Sequence, residues 1–100
     1  EIILTVSDLS LNLNTHSVKR SNKDIILTNK EFSLLEFLMR NKNQPISKEQ
    51  IITHVWNWDS DILPNNIEVY ISYLRDKVDK PFSKKLIKTV RGVGYKISDD

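Results

Sequence analysis

The sequence predicts an α+β domain in which a four-stranded antiparallel sheet precedes three helices and a closing β-hairpin. Leucines alternate with polar residues near the start of the chain, as in a half-buried strand. Two capping boxes stand ahead of apolar sets with helical spacing. Near the end, β-branched residues flank a short turn that contains two glycines.

The elements follow in order. Leu9, Leu11 and Leu13 alternate with Ser10, Asn12 and Asn14, a period of two that turns every second side chain to one face. Ile2 to Val6, Ser17 to Arg20 and Asp24 to Leu27 are expected as companion strands, separated by polar turn residues such as Ser21, Asn22 and Lys23. Thr28 and Glu31 form a T-x-x-E box that satisfies free amides at a helix start, just before Phe32, Leu34, Leu35, Leu38 and Met39. This first helix is expected to run to about Lys42. Pro45 breaks the chain, and Ser47 with Gln50 repeats the box ahead of Ile51, Ile52, Val55 and Trp56, which predicts a second, shorter helix.

Asn57 to Leu63 reads as a loop with Trp58 exposed or half exposed, and Pro64 stands where a third helix can begin. At about 100° per residue, Ile67, Ile71, Leu74 and Val78 fall in one narrow stripe, which predicts the core face. The opposite arc carries Asn65, Asn66, Val69, Ser72, Tyr73 and Asp76, with Glu68, Arg75 and Lys77 nearer its edges. Asn can pair bidentately with adenine and an exposed Val can touch the thymine methyl, so this face has a use in the major groove besides solvation. Pro81 ends the helix. The final segment, LIKTVRGVGYKI, predicts a hairpin around Arg91-Gly92-Val93-Gly94, with both glycines able to supply positive φ angles.

Charge is distributed unevenly. The formal net charge is only +2, yet residues 75 to 96 hold eight Lys and Arg against Asp76 and Asp79. Residues 51 to 74 hold no Lys or Arg, while Asp59, Asp61 and Glu68 lie there. A basic footprint around a helix and the hairpin after it is what phosphate contact requires.

Composition excludes several other classes. One hundred residues suit a single domain with a modest core. The absence of Cys removes disulfide, thiolate and zinc-thiolate chemistry and fits a reducing compartment. Apolar runs stop at three residues, so neither a membrane span nor a signal peptide is expected. His16 and His54 lack a metal-ligand pattern, and Gly92-Val93-Gly94 is followed by a strand, not by the helix N-terminus that a phosphate loop needs. No triad or carboxylate pair is recognisable, so neither an enzyme nor a cofactor or metal site is expected. A chain that begins at Glu1 and enters a strand at once is expected to come from a longer protein.

With LTNKEFSLLEFL, SKEQIITHVW, NNIEVYISYLR and KLIKTVRGVGY in order across Leu27 to Tyr95, the chain resembles the winged-helix effector domain of OmpR/PhoB-type response regulators. That resemblance implies a winged helix-turn-helix whose C-terminal hairpin is the wing. It implies a bacterial cytoplasmic transcription factor in a two-component system, with an upstream receiver domain and a sensor histidine kinase. Its partner would be double-stranded promoter DNA, bound as a tandem dimer on direct repeats although the isolated domain is monomeric.

By the same resemblance Asn65, Asn66, Glu68, Val69, Ser72 and Tyr73 face bases, and Arg91 enters a minor groove. Trp56 and Thr89 match positions at the DNA backbone, and further phosphate work is expected of Arg75, Lys77, Lys88 and Arg91 because the helix itself carries little charge. Trp58, Asp59, Asp61 and Ile62 would form a loop that contacts RNA polymerase. Plainer readings stand beside these: Trp56 as core, Thr89 as an ordinary strand residue and Arg91 as a solvated turn. Family members often carry basic residues where Ser72 and Tyr73 stand, so this reading helix is less basic than most. A protein-interaction module is the alternative, since winged helices also dock proteins and fold alone does not decide function. Binding of RNA is less favoured, for no aromatic stacking sheet is evident.

Overall fold

The computed structural model describes residues 2–56 and 64–99. Strands β1 (Ile3–Val6), β2 (Leu9–Asn12), β3 (Ser17–Arg20) and β4 (Lys23–Ile25) form an antiparallel sheet in the order β1-β2-β3-β4. Val6 pairs with Leu9 and Arg20 with Lys23, so each of these turns has two residues. Ser21 and Asn22 take φ of 52° and 67°, the doubly left-handed turn whose twist matches that of paired strands. The alternation in β2 holds: Leu9 and Leu11 are fully buried and Ser10 and Asn12 only partly. At the other end of the sheet β4 stops two residues before the expected Leu27, and Ile26 stands 87% exposed.

Helix α1 (Asn29–Arg40) starts as the capping box requires. Thr28 Oγ1 accepts from the Glu31 N–H at 3.3 Å, and Glu31 Oε1 accepts from the Thr28 N–H at 2.9 Å. Helix α2 (Lys48–Ile51) uses Ser47 and Gln50 in the same way, and continues as a π-helical turn through Ile52–Trp56. Helix α3 (Pro64–Leu74) begins on its proline and also ends in a π-helical turn, Arg75–Asp79. The hairpin is β6 (Ile87–Val90) and β7 (Gly94–Ile97).

Two expectations change here. Pro45 does more than break the chain, because Ile46–Ser47 forms a short strand, β5, on the free edge of β7. Two residues carry no periodic signal, and only the edge of β7 makes them a strand. The glycines also divide their tasks. Gly92 has φ +78° with open space where a Cβ would stand. Gly94 has no such φ, and its Cβ would lie 2.1 Å from the Ile46 carbonyl oxygen. Its conservation of space lets β5 approach β7.

Both sheets and all three helices meet in one core. Leu9, Leu11 and Val18 close it from the first sheet, Phe32, Leu35 and Leu38 from α1, and Leu86 and Ile97 from the hairpin. The α3 stripe is as expected: Ile67, Ile71, Leu74 and Val78 are each at most 1% exposed. Burial of each such side chain contributes roughly 1.5–3 kcal/mol. Because α3 is anchored along this stripe, its opposite face must look outward.

Candidate nucleic-acid interface

That outward face carries Asn66, Glu68, Val69, Ser72, Tyr73 and Asp76 as exposed residues. Val69 is 44% and Tyr73 48% exposed, so both present apolar surface on this face. Asn65 lies in the first turn of α3, but its side chain is outside those described, and Trp58, Asp59, Asp61 and Ile62 lie outside the described residues with the rest of 57–63.

Tyr73 is held by an aromatic chain. Its ring meets Tyr70 edge-on at 6.0 Å, Tyr70 meets Trp56 at 5.0 Å, and Lys30 Nζ lies 5.7 Å over the indole. Trp56 is 4% exposed. The structure therefore places this indole in the core behind the α3 face, where it buttresses Tyr70 and has almost no surface to offer a phosphate.

The basic residues separate into two sets. Arg75 Nη2 donates to Thr89 Oγ1 at 2.7 Å and Nε to the Ile87 carbonyl at 3.3 Å, with Tyr95 facing the guanidinium at 5.8 Å. Two residues expected at phosphates are thus bonded to one another across helix and hairpin. Lys77 Nζ lies 2.6 Å from Glu31 Oε1. Burial works to raise the Glu31 pKa, but the Lys77 ammonium and the Thr28 N–H outweigh it and hold the carboxyl below its ordinary value.

The second set lies on the hairpin. Arg91 is exposed in the hairpin turn and has no hydrogen bond or ion pair among the described residues. Lys88 is half-buried on β6, opposite Lys96.

Lys48, which sequence reasoning passed over, bonds Glu68 Oε1 at 2.6 Å, and this bond raises its pKa. Its signal was its place as the first residue after the N-cap Ser47, inside the second capping box. Lys48, Glu68, Thr89, Arg91 and Tyr95 line one groove between the start of α2, the exposed face of α3 and the hairpin. Glu49 joins them, so two cations face two carboxylates and the groove is close to neutral. Its attraction for a polyanion must come from the hairpin side.

Residues 22–97 match the family model described as "Transcriptional regulatory protein, C terminal". The chain is 44% identical over 94 residues to the transcriptional regulatory protein YkoG of Bacillus subtilis, covering 94% of this chain and 41% of that one. It is 43% identical over 96 residues to the response regulator ArlR of Staphylococcus aureus, covering 95% and 43%. The chain therefore spans about two fifths of the length of these curated relatives. Among solved structures, the response regulator DrrB of Thermotoga maritima, an OmpR/PhoB homologue, superposes with a TM-score of 0.83 at 28% identity over 96% of this chain and 44% of that one. Among the described residues no helix is long and apolar enough to cross a membrane.

Proposed function

Because the chain belongs to the OmpR/PhoB-type family of transcriptional regulatory C-terminal domains, we propose that it binds double-stranded promoter DNA as the output domain of a response regulator. The family is one of transcription regulators and not a class of enzymes. The observation that carries the proposal is the shared groove: an exposed helix face and an exposed arginine flank one channel, so helix and hairpin can meet the same duplex.

In this reading α3 lies in the major groove. Val69 offers a methyl surface to thymine, and Asn66, Ser72 and Tyr73, with Asn65, offer hydrogen-bonding groups to base edges. Glu68 has one oxygen bonded to Lys48 and keeps the other free to accept from a base. Arg91 enters the neighbouring minor groove, with Lys88 supporting it at the backbone. Thr89 and Arg75 are bonded to each other and Lys77 to Glu31, yet the Thr89 hydroxyl, the remaining guanidinium N–H groups and the other ammonium protons stay available as donors to a phosphate. Trp56 acts behind the interface through Tyr70.

The rest of the machinery follows from the family. A receiver domain upstream, a sensor histidine kinase, a cytoplasmic setting, tandem docking of an otherwise monomeric domain, and polymerase contact through Trp58, Asp59, Asp61 and Ile62 are all part of the proposal. Selection of the purified chain against a random duplex library at near-physiological salt tests it. Enrichment of one motif, above all one repeated about a helical turn apart, is the expected result. Failure to retain any duplex would move the domain to a protein-docking role.

A further inference from the structure

Arg20 is a strand residue that no periodic pattern marks, and it is 1% exposed. Its Nε donates to Asp8 Oδ1 at 3.0 Å. One terminal nitrogen donates to Asp79 Oδ1 at 2.9 Å and to the Val78 carbonyl, and the other to the Lys84 carbonyl. The Phe82 ring lies 4.7 Å from the guanidinium carbon. Asp79, itself 2% exposed, accepts from the Leu86 N–H at 3.1 Å and the Ile87 N–H at 2.9 Å.

One planar side chain of the first sheet thus joins the end of α3 (Val78, Asp79), the connection (Phe82, Lys84) and, through Asp79, the first residues of β6. A buried ion pair often adds little stability over apolar residues of the same volume. What the guanidinium fork supplies is direction, because its donors lie in one plane at fixed angles, which an ammonium cannot imitate. Its position is the joint where α3 passes the chain to the hairpin.

Small rotations at that joint are magnified at the turn. Arg91 follows Ile87 by four residues, or about 13 Å at the rise of a strand, so a tilt of about 10° moves it by about 2 Å. That displacement exceeds the tolerance of a hydrogen bond to a phosphate or base.

We propose that Arg20 is a positioning residue for DNA binding: through Asp79 it fixes the angle between α3 and the hairpin, so that the helix face and Arg91 engage one duplex together. The DNA half of this inference rests on the reading of Arg91 given above. The hold on the angle does not.

Two measurements on the chain separate them. The first is a double-mutant cycle on a selected duplex. Arg91→Ala should weaken binding about tenfold in the parent chain, the size of one charge-assisted hydrogen bond. In the Arg20→Lys background it should weaken binding less than about twofold, because the hairpin is no longer aligned. A purely stabilising Arg20 would leave the two effects independent. The second needs no DNA. Since the sequence has no Cys, spin labels can be placed at Asp76→Cys and Val93→Cys alone, and Arg20→Lys should broaden the distance distribution between them.

An unchanged distribution overturns the proposal whatever the binding result, and so does an equal loss of binding on Arg91→Ala in both backgrounds. A broadened distribution with no effect of Arg91→Ala in the parent chain upholds the hold on the angle and overturns the reading of Arg91 instead. Should Arg20→Lys not fold, Asp8→Asn loosens only the outer contact of the guanidinium. It is expected to broaden the distribution in the same direction and by less.

Discussion

The base of the hairpin and its turn both carry arginine, in opposite electrostatic surroundings. At the base, Arg20 is bonded to Asp79 and Asp8, and Arg75 to Thr89 and the Ile87 carbonyl. Lys77, in the helical turn beside it, is paired with Glu31. At the turn, Arg91 stands exposed with no such partner among the described residues. A run of positive charge in a sequence is therefore not a map of positive surface. Its cations serve the fold or a ligand according to what tertiary packing brings beside them.

The largest expected effect tests whether the base is held as described. Asp79→Ala leaves Arg20 with only the half-exposed Asp8 as its carboxylate and two amides without an acceptor, and should cost about 3–5 kcal/mol in urea unfolding. A loss below about 1 kcal/mol would mean that water or Asp8 replaces the pair, and the base would not differ from the turn.

The two glycines sharpen the contrast next. Gly94→Ala drives a Cβ against the Ile46 carbonyl, and should cost about 1–3 kcal/mol and weaken the β5–β7 pairing, visible as faster exchange of backbone amides there. Gly92→Ala meets open space and only the left-handed φ, for about 1–2 kcal/mol. Equal melting temperatures for the two variants would show that β5 yields easily.

Arginine exchange separates fold from ligand. Arg91→Ala should change stability by less than about 0.5 kcal/mol, while flattening the log–log salt dependence of duplex binding by roughly 0.9. Arg75→Met should lower stability by about 1 kcal/mol as well, because its internal bonds go with it. If titrations in salt find the slope changed by Arg75→Met and not by Arg91→Ala, the assignment of the two residues is reversed.

The smallest effect is on acidity. The folded pKa of Glu31 lies below the unfolded value near 4.5, so its contribution is fully present above pH 4.5 and is lost as pH falls through the folded value. Lys77→Met should remove part of that acid sensitivity. Unfolding curves between pH 3 and 6 that coincide for the two proteins would show the pair to be idle.

Much of this molecule was legible in one dimension, because the signals concerned are local. Alternating leucines placed β2, two capping boxes started α1 and α2, and the spacing of Ile67, Ile71, Leu74 and Val78 determined which side of α3 is buried and hence which side faces outward. The motifs through Thr89 to Tyr95 identified the family. Non-local relations were not legible. That Ile46–Ser47 is a strand depends on the edge of β7, and the need for glycine at 94 depends on that strand. Whether Arg75, Lys77 and Arg91 are available to a phosphate depends on Thr89, Glu31 and open solvent, and Arg20 acquires a role only because Asp79 lies beside it 59 residues later. Periodicity and capping act within a turn or two of chain, whereas charge pairing and strand edges are settled by whatever folding brings within about 4 Å.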